Sequence, residues 1–196
     1  MPRDLAVRSR TLMACVGAAV LLAAGAATAE QPAIGGTAGL VVLIRHAEAP
    51  GTGDPPGFRL DDCTTQRTLD DGGRAQARRM GDRLRELGIR QARVLSSQWC
   101  RCLETARLLD LGPVEELPAL NSFFGHPEEK AAKVAAVQNA LAGLPADGAP
   151  VVLVTHQVTV TALTGVYPAS GEAVLLRANG TPAPPVLGRL KDSRQQ

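Results

Sequence analysis

The run Leu40-Val41-Val42-Leu43-Ile44 is short and apolar throughout, with β-branched residues in its middle and at its end, and it stops abruptly at Arg45-His46-Ala47-Glu48. A continuous apolar run of this length is the pattern of a strand buried on both faces, as found in parallel sheets covered by helices. Two further segments repeat it. Val94-Leu95-Ser96-Ser97 leads to Arg101, and Val151-Val152-Leu153-Val154-Thr155 delivers His156. Open α/β sheets place their chemistry beyond the carboxyl ends of such strands. The pattern therefore predicts that two imidazoles and two guanidiniums converge on one anion.

Helical segments separate the strands. Arg74 to Leu87 reads as an amphipathic helix, with Ala77, Met80, Leu84 and Leu87 on one stripe and arginines opposite. Further helices are expected over about 98–109, stopped by Gly112-Pro113, over about 127–141, and from Thr159 to Leu163. Val114 to Leu117, Glu172 to Arg177 and Val186 to Leu190 supply short strands. Between the first strand and first helix, Pro50, Gly51, Gly53, Pro55, Pro56 and Gly57 forbid regular structure and suit a loop over a site. Such alternation predicts an α/β three-layer sandwich over residues 40–196, a mostly parallel central sheet with helices on both faces.

Arg3, Arg8 and Arg10 precede an apolar stretch, Leu12 to Ala27, that closes with Ala27-Thr28-Ala29. This is a secretory signal pattern over residues 1–29, with cleavage expected after Ala29 and residues 30–39 as a linker. The stretch holds Gly17 and Gly25 and falls short of the roughly 20 residues a spanning helix needs. The expected location is thus periplasmic or secreted, with no stable membrane insertion after cleavage. The whole chain has 21 basic and 19 acidic side chains; the signal holds three arginines and Asp4, so the rest is neutral. A neutral chain with 3% aromatic residues lacks the basic excess and stacking platforms of a nucleic-acid binder.

Cys15 leaves with the signal, so Cys63, Cys100 and Cys102 meet an oxidising compartment. Residues two apart on a helix point in nearly opposite directions, so Cys63 can pair with Cys100 or Cys102 but not both. The other reading makes all three small buried apolar residues. A zinc site built from them and His126 lacks any paired ligand spacing.

In this order, the strand ending in R-H-A-E, the segment Ser97-x-x-x-Arg101-x-x-x-Thr105-Ala106 and the late strand ending in Thr155-His156 resemble the histidine phosphatase superfamily, with its phosphoglycerate mutase-like fold. The stretch Leu69-x-x-x-Gly73-Arg74-x-Gln76-Ala77 is similar to that family's approach to its first helix. The resemblance implies a phosphatase hydrolysing small phosphomonoesters, with His46 as nucleophile, His156 as the second phosphate-contacting imidazole, and Arg45 and Arg101 completing the pocket. It implies no metal and no cofactor. Envelope sugar phosphates are a known substrate class of short exported members.

The chemistry of the residues agrees. A phosphoryl group in flight spreads charge over three oxygens, and forked guanidinium donors suit it. A neutral imidazole can attack phosphorus through one nitrogen while the other is held, giving a phosphohistidine intermediate. Arg67 either reaches the same anion or is a solvated surface arginine, and His126, in a Gly125-His126-Pro127 turn, reads as a surface histidine.

Departures from the family pattern are Ala47 for the usual glycine, Ala49 for Thr or Ser, and Thr52 for Asn. The family's acidic proton donor is also missing from Leu120-Asn121-Ser122-Phe123, where Asn121 cannot protonate an alkoxide, and from Gln157 after the second histidine. Glu48, Asp54, Asp61 and Asp62 remain as candidate acids; with none, acyl phosphates, phosphoramidates and aryl phosphates would be favoured. The alternative function is a non-catalytic phosphate- or phospholigand-binding module of the same fold.

Overall fold

The computed structural model describes Met1 and residues 34–192. Apart from Met1, the expected signal segment, its cleavage site and the start of the linker lie outside the described residues. Six strands form one sheet: β1 (Leu40–Arg45), β2 (Arg93–Ser96), β3 (Val114–Glu116), β4 (Val151–Thr155), β5 (Ala173–Arg177) and β6 (Val186–Leu190). Their spatial order is β3-β2-β4-β1-β5-β6. The pairs β2–β3, β2–β4 and β1–β4 are parallel, and β5 and β6 continue the sheet antiparallel.

Alternation along β1 sets up the two outer layers. Leu40, Val42 and Ile44 join a core with Met80 and Leu84 of helix α1 (Asp71–Glu86) and Ala106 and Leu109 of helix α2 (Cys100–Leu109). Val41 and Leu43 point the other way, into a second core with Val137 and Leu141 of α3 (Lys130–Ala142) and Val160 of α4 (Gln157–Thr164). Because both faces of β1 are covered, it carries no polar residue before Arg45, which is why it reads as an unbroken apolar run. This is the three-layer sandwich the alternation predicts.

Helix starts differ from the sequence expectation for local reasons. α1 begins three residues earlier than the apolar stripe indicates, because Asp70 accepts from the amide of Gly73 at 2.7 Å and caps a first turn containing two poor helix formers, Gly72 and Gly73. α4 begins directly after His156 rather than at Thr159. Residues 127–129 form a separate 3-10 turn ahead of α3. Among the described residues no helix is long and apolar enough to cross a membrane.

The α1–α2 contact depends on Gly81. A Cβ there would lie 2.3 Å from the carbonyl oxygen of Leu109, which is backbone and has little room to yield. Gly81→Ala is expected to separate the helices and destabilise the protein by about 1–3 kcal/mol, the usual cost of overpacking. Denaturant unfolding checks this, and an unchanged midpoint would refute the close approach.

Candidate active site

Parallel pairing of β1 with β4 sets Arg45 opposite Thr155, so the next residue on each chain, His46 and His156, leaves the sheet at the same edge. The His46 amide donates to Thr155 O at 2.9 Å, and the two rings meet edge-on with centroids 5.5 Å apart. Ser97, just beyond β2, is fixed in the same way by its amide donating to Val154 O at 2.9 Å. Three neighbouring strand ends thus form the floor of a cleft of about 450 Å³, lined by Arg45, His46, Arg67, Arg101 and His156.

His46 is 3% exposed. Its Nδ1 contacts Ala47 O at 2.8 Å, which assigns the proton to Nδ1 and the lone pair to Nε2. Arg101 Nε donates to that Nε2 at 3.3 Å. Burial, then the charge of Arg101, pushes the His46 pKa down to about 3, so the ring is neutral across ordinary pH. His156 is likewise held well below its usual value, by burial first and then by His46 and the surrounding arginines. Its Nε2 lies 2.9 Å from Ser97 Oγ. The serine hydroxyl donates to Asn121 Oδ1 at 3.2 Å, which leaves its oxygen to accept from His156 Nε2–H.

The guanidiniums are held from behind. Arg45 donates from Nη1 to Pro168 O at 3.1 Å, and its buried Nε has no partner among the described residues. Arg67 donates to Gly53 O and Ala49 O and lines the same cleft as His46 and Arg101. Arg101 forms a forked pair with Asp54, at 2.7 and 3.1 Å. Asp54 also accepts from the Arg67 amide and the Trp99 indole, both at 3.0 Å. Burial alone would raise the Asp54 carboxyl, but the bonds and charge of Arg101, with those two N–H groups, hold it below the ordinary carboxylate range.

These contacts revise the candidate acids. Asp54 lines the cleft but is an ionised clamp on Arg101 rather than a proton donor. Asp61 is an exposed partner of Arg59, Asp62 caps the turn at residues 63–65, and neither they nor Glu48 lines the cleft. Asn121 also points elsewhere: its Oδ1 accepts from the Gln98 amide at 2.9 Å and its Nδ2 donates to Gln98 Oε1 at 2.9 Å. Ser122 is the residue of that segment that reaches the cleft, and His126, exposed as expected of a surface histidine, also lines it.

The other motif residues hold the turn that follows His46. Thr105 Oγ1 accepts from the Ala47 amide at 3.0 Å, and Gln76 Oε1 accepts from the Glu48 amide at 2.9 Å while its Nε2 donates to Ser170 O at 2.8 Å. Gly73 is required because a Cβ would lie 1.9 Å from Glu48 O. Ala47, Ala49, Leu69 and Ala77 form a small apolar cluster beneath this turn, so two departures from the family pattern are methyl groups packed out of water. Cys63 is bonded to Cys100, and Cys102 is free, buried, and pushed up to about 12 chiefly by burial. Among the described residues no group of three or more His, Cys, Asp or Glu is arranged to hold a metal ion.

Comparison with known proteins agrees with this geometry. Residues 41–133 match the model of the histidine phosphatase superfamily (branch 1), and the match carries Arg45, His46 and Arg101. Over that stretch, 93 of its 196 residues, the chain is similar to that superfamily. A curated relative, the mitochondrial serine/threonine-protein phosphatase Pgam5 of Drosophila virilis, is 42% identical over 69 residues, which is 35% of this chain. That match spans about a fifth, 21%, of the relative's length. The fold is shared with the protein histidine phosphatase SixA complexed with tungstate, at TM-score 0.55 and 17% identity, covering 80% of this chain and 99% of that one. A protein from Agrobacterium tumefaciens assigned as SixA aligns at TM-score 0.56 and 20% identity, covering 79% and 98%.

Two consequences are measurable. The unfolded chain protonates His46 near its usual value of 6.5, whereas the folded protein keeps it neutral down to about 3, so stability is lost as pH falls through that window. The drop in unfolding free energy between pH 7 and pH 4.5 is expected to be smaller in His46→Asn than in wild type; equal drops would refute the buried neutral ring. The disulfide closes a segment with a sequence separation of 37. Replacing both Cys63 and Cys100 by Ser is expected to cost about 2–4 kcal/mol, read from denaturation midpoints.

Proposed function

We propose that this protein is an exported phosphatase that hydrolyses phosphomonoesters through a phosphohistidine on His46. The carrying observation is a neutral, buried imidazole whose Nδ1 is tied to Ala47 O and whose Nε2 opens onto a cleft lined by three guanidiniums, one with a buried Nε unpartnered among the described residues. A phosphoryl group entering the cleft draws its oxygens to Arg45, Arg67 and Arg101, beside the His156 ring. Arg101 Nε turns from His46 to the anion, which releases the Nε2 lone pair for attack on phosphorus. Water then takes the phosphoryl group from the histidine.

Three further facts support parts of this reading. SixA, which shares the fold, takes tungstate, a tetrahedral oxyanion. Pgam5 and SixA are named as phosphatases. The disulfide beside the site suits an oxidising compartment, in keeping with the expected signal segment and a periplasmic or secreted location. Phe124 and Tyr167 are exposed at the cleft and offer an apolar surface to the leaving group. An envelope sugar phosphate is the natural class to assay first in that compartment.

His46→Ala is expected to abolish turnover of 4-nitrophenyl phosphate with the fold intact by circular dichroism. Arg101→Ala and His156→Ala are expected to lose about a hundred- to a thousandfold, the usual effect of removing a preorganised charge contact. Rapid quench of wild type is expected to trap an acid-labile, base-stable phosphoryl group on the peptide containing His46. Phosphate binding without turnover would instead make the chain a phospholigand-binding module.

A further inference from the structure

We propose that His126 is the general acid for the leaving group, with Glu128 as the residue that orients it. This rests on the phosphatase reading above, which leaves the departing alkoxide without a proton donor. Outside the phosphate-binding set, the side chains that line the cleft and carry polar hydrogens or acidic groups are those of Thr52, Asp54, Trp99, Ser122, His126, Gln157 and Tyr167. Asp54 is ionised and saturated by Arg101, Arg67 and Trp99. The hydroxyls of Thr52 and Ser122, the Tyr167 phenol, the Trp99 indole and the Gln157 amide are far weaker acids than an imidazolium. His126 remains.

Its surroundings suit the role. His126 Nδ1 lies 3.1 Å from Glu128 Oε1, the geometry in which a carboxylate accepts the Nδ1 proton of an imidazolium and orients the ring. Nε2 then carries the second proton and makes no bond to protein among the described residues. The backbone is held on both sides: the His126 amide donates to Phe123 O and the Glu129 amide donates to His126 O, both at 3.0 Å. Phe123 is buried and anchors this turn, while Pro127 opens the next one. The ring is therefore presented by a fixed turn although its side chain is exposed.

The step balances as follows. As His46 Nε2 bonds to phosphorus and the phosphorus–oxygen ester bond breaks, the Nε2 proton of His126 passes to the departing oxygen, giving a neutral alcohol. Neutral His126 then takes a proton from the water that attacks phosphohistidine. Phosphate leaves with His46 and His126 restored.

The test compares 4-nitrophenyl phosphate, whose leaving group needs no proton, with glycerol 2-phosphate, whose leaving group does. His126→Gln is expected to lose about a hundred- to ten-thousandfold in kcat/KM on glycerol 2-phosphate and only a few-fold on the aryl ester. Glu128→Gln is expected to show the same bias at smaller size. Vanadate inhibition unchanged in both variants reports an intact phosphate pocket. Equal losses on the two substrates, no loss on the alkyl ester, or a wild type that hydrolyses only the aryl ester would overturn the assignment while leaving the phosphatase reading in place. A wild type that turns over neither ester removes both.

Discussion

The parallel register between β1 and β4 is the constraint on which the site rests. Opposition of Arg45 and Thr155, sealed by the His46 amide on Thr155 O, puts two histidines from distant parts of the chain side by side. A slip of one residue would send every β1 side chain to the opposite face of the sheet and carry His46 away from His156. Neither is tolerable with both faces packed. The apolar helices on each side therefore do more than stabilise the sheet, since they fix the pairing that aligns His46 with His156.

Electrostatics then decides the chemical state of that edge. Arg45, Arg67 and Arg101 line one cleft, and the Asp54 carboxylate is a buried counter-charge clamped directly to Arg101. The resulting positive field, added to the loss of water, keeps both buried imidazoles neutral. A neutral ring is what a nucleophile needs, and the same excess of positive charge is what an anionic substrate meets. Asp54 reaches its place because the Pro- and Gly-bearing loop that carries it is tied to α2 through the Cys63–Cys100 bond, the Gln66 side chain and the Cys100 amide.

What was legible in the sequence follows the same physics. Strands buried on both faces are continuous apolar runs, so β1, β2 and β4 and the polar residues at their ends stood out, and with them Arg45, His46, Arg101 and His156. Asp54 was legible only as one acid among several, because its role comes from a loop folding across 47 positions of sequence to meet Arg101. Helix starts at Asp71 and Gln157 were obscured by glycines and by a histidine already counted with the strand. His126 was hidden for a different reason. A histidine in a Gly-His-Pro turn carries no periodicity, and only the folded arrangement sets it on the cleft; the Glu128 two residues on was the one local sign that it had a partner.

The cleft is made of two kinds of backbone. Its floor comes from strand ends and the first turn of a helix, locked by the sheet and by Thr105 and Gln76, whereas Phe124, His126 and Tyr167 stand on turns that no strand constrains. Change can therefore accumulate at the mouth without disturbing the imidazoles and guanidiniums at the floor. A lineage built this way diversifies by exchanging what greets the alcohol portion of its substrates, and its members stay recognisable by the inherited interior long after their preferences have parted.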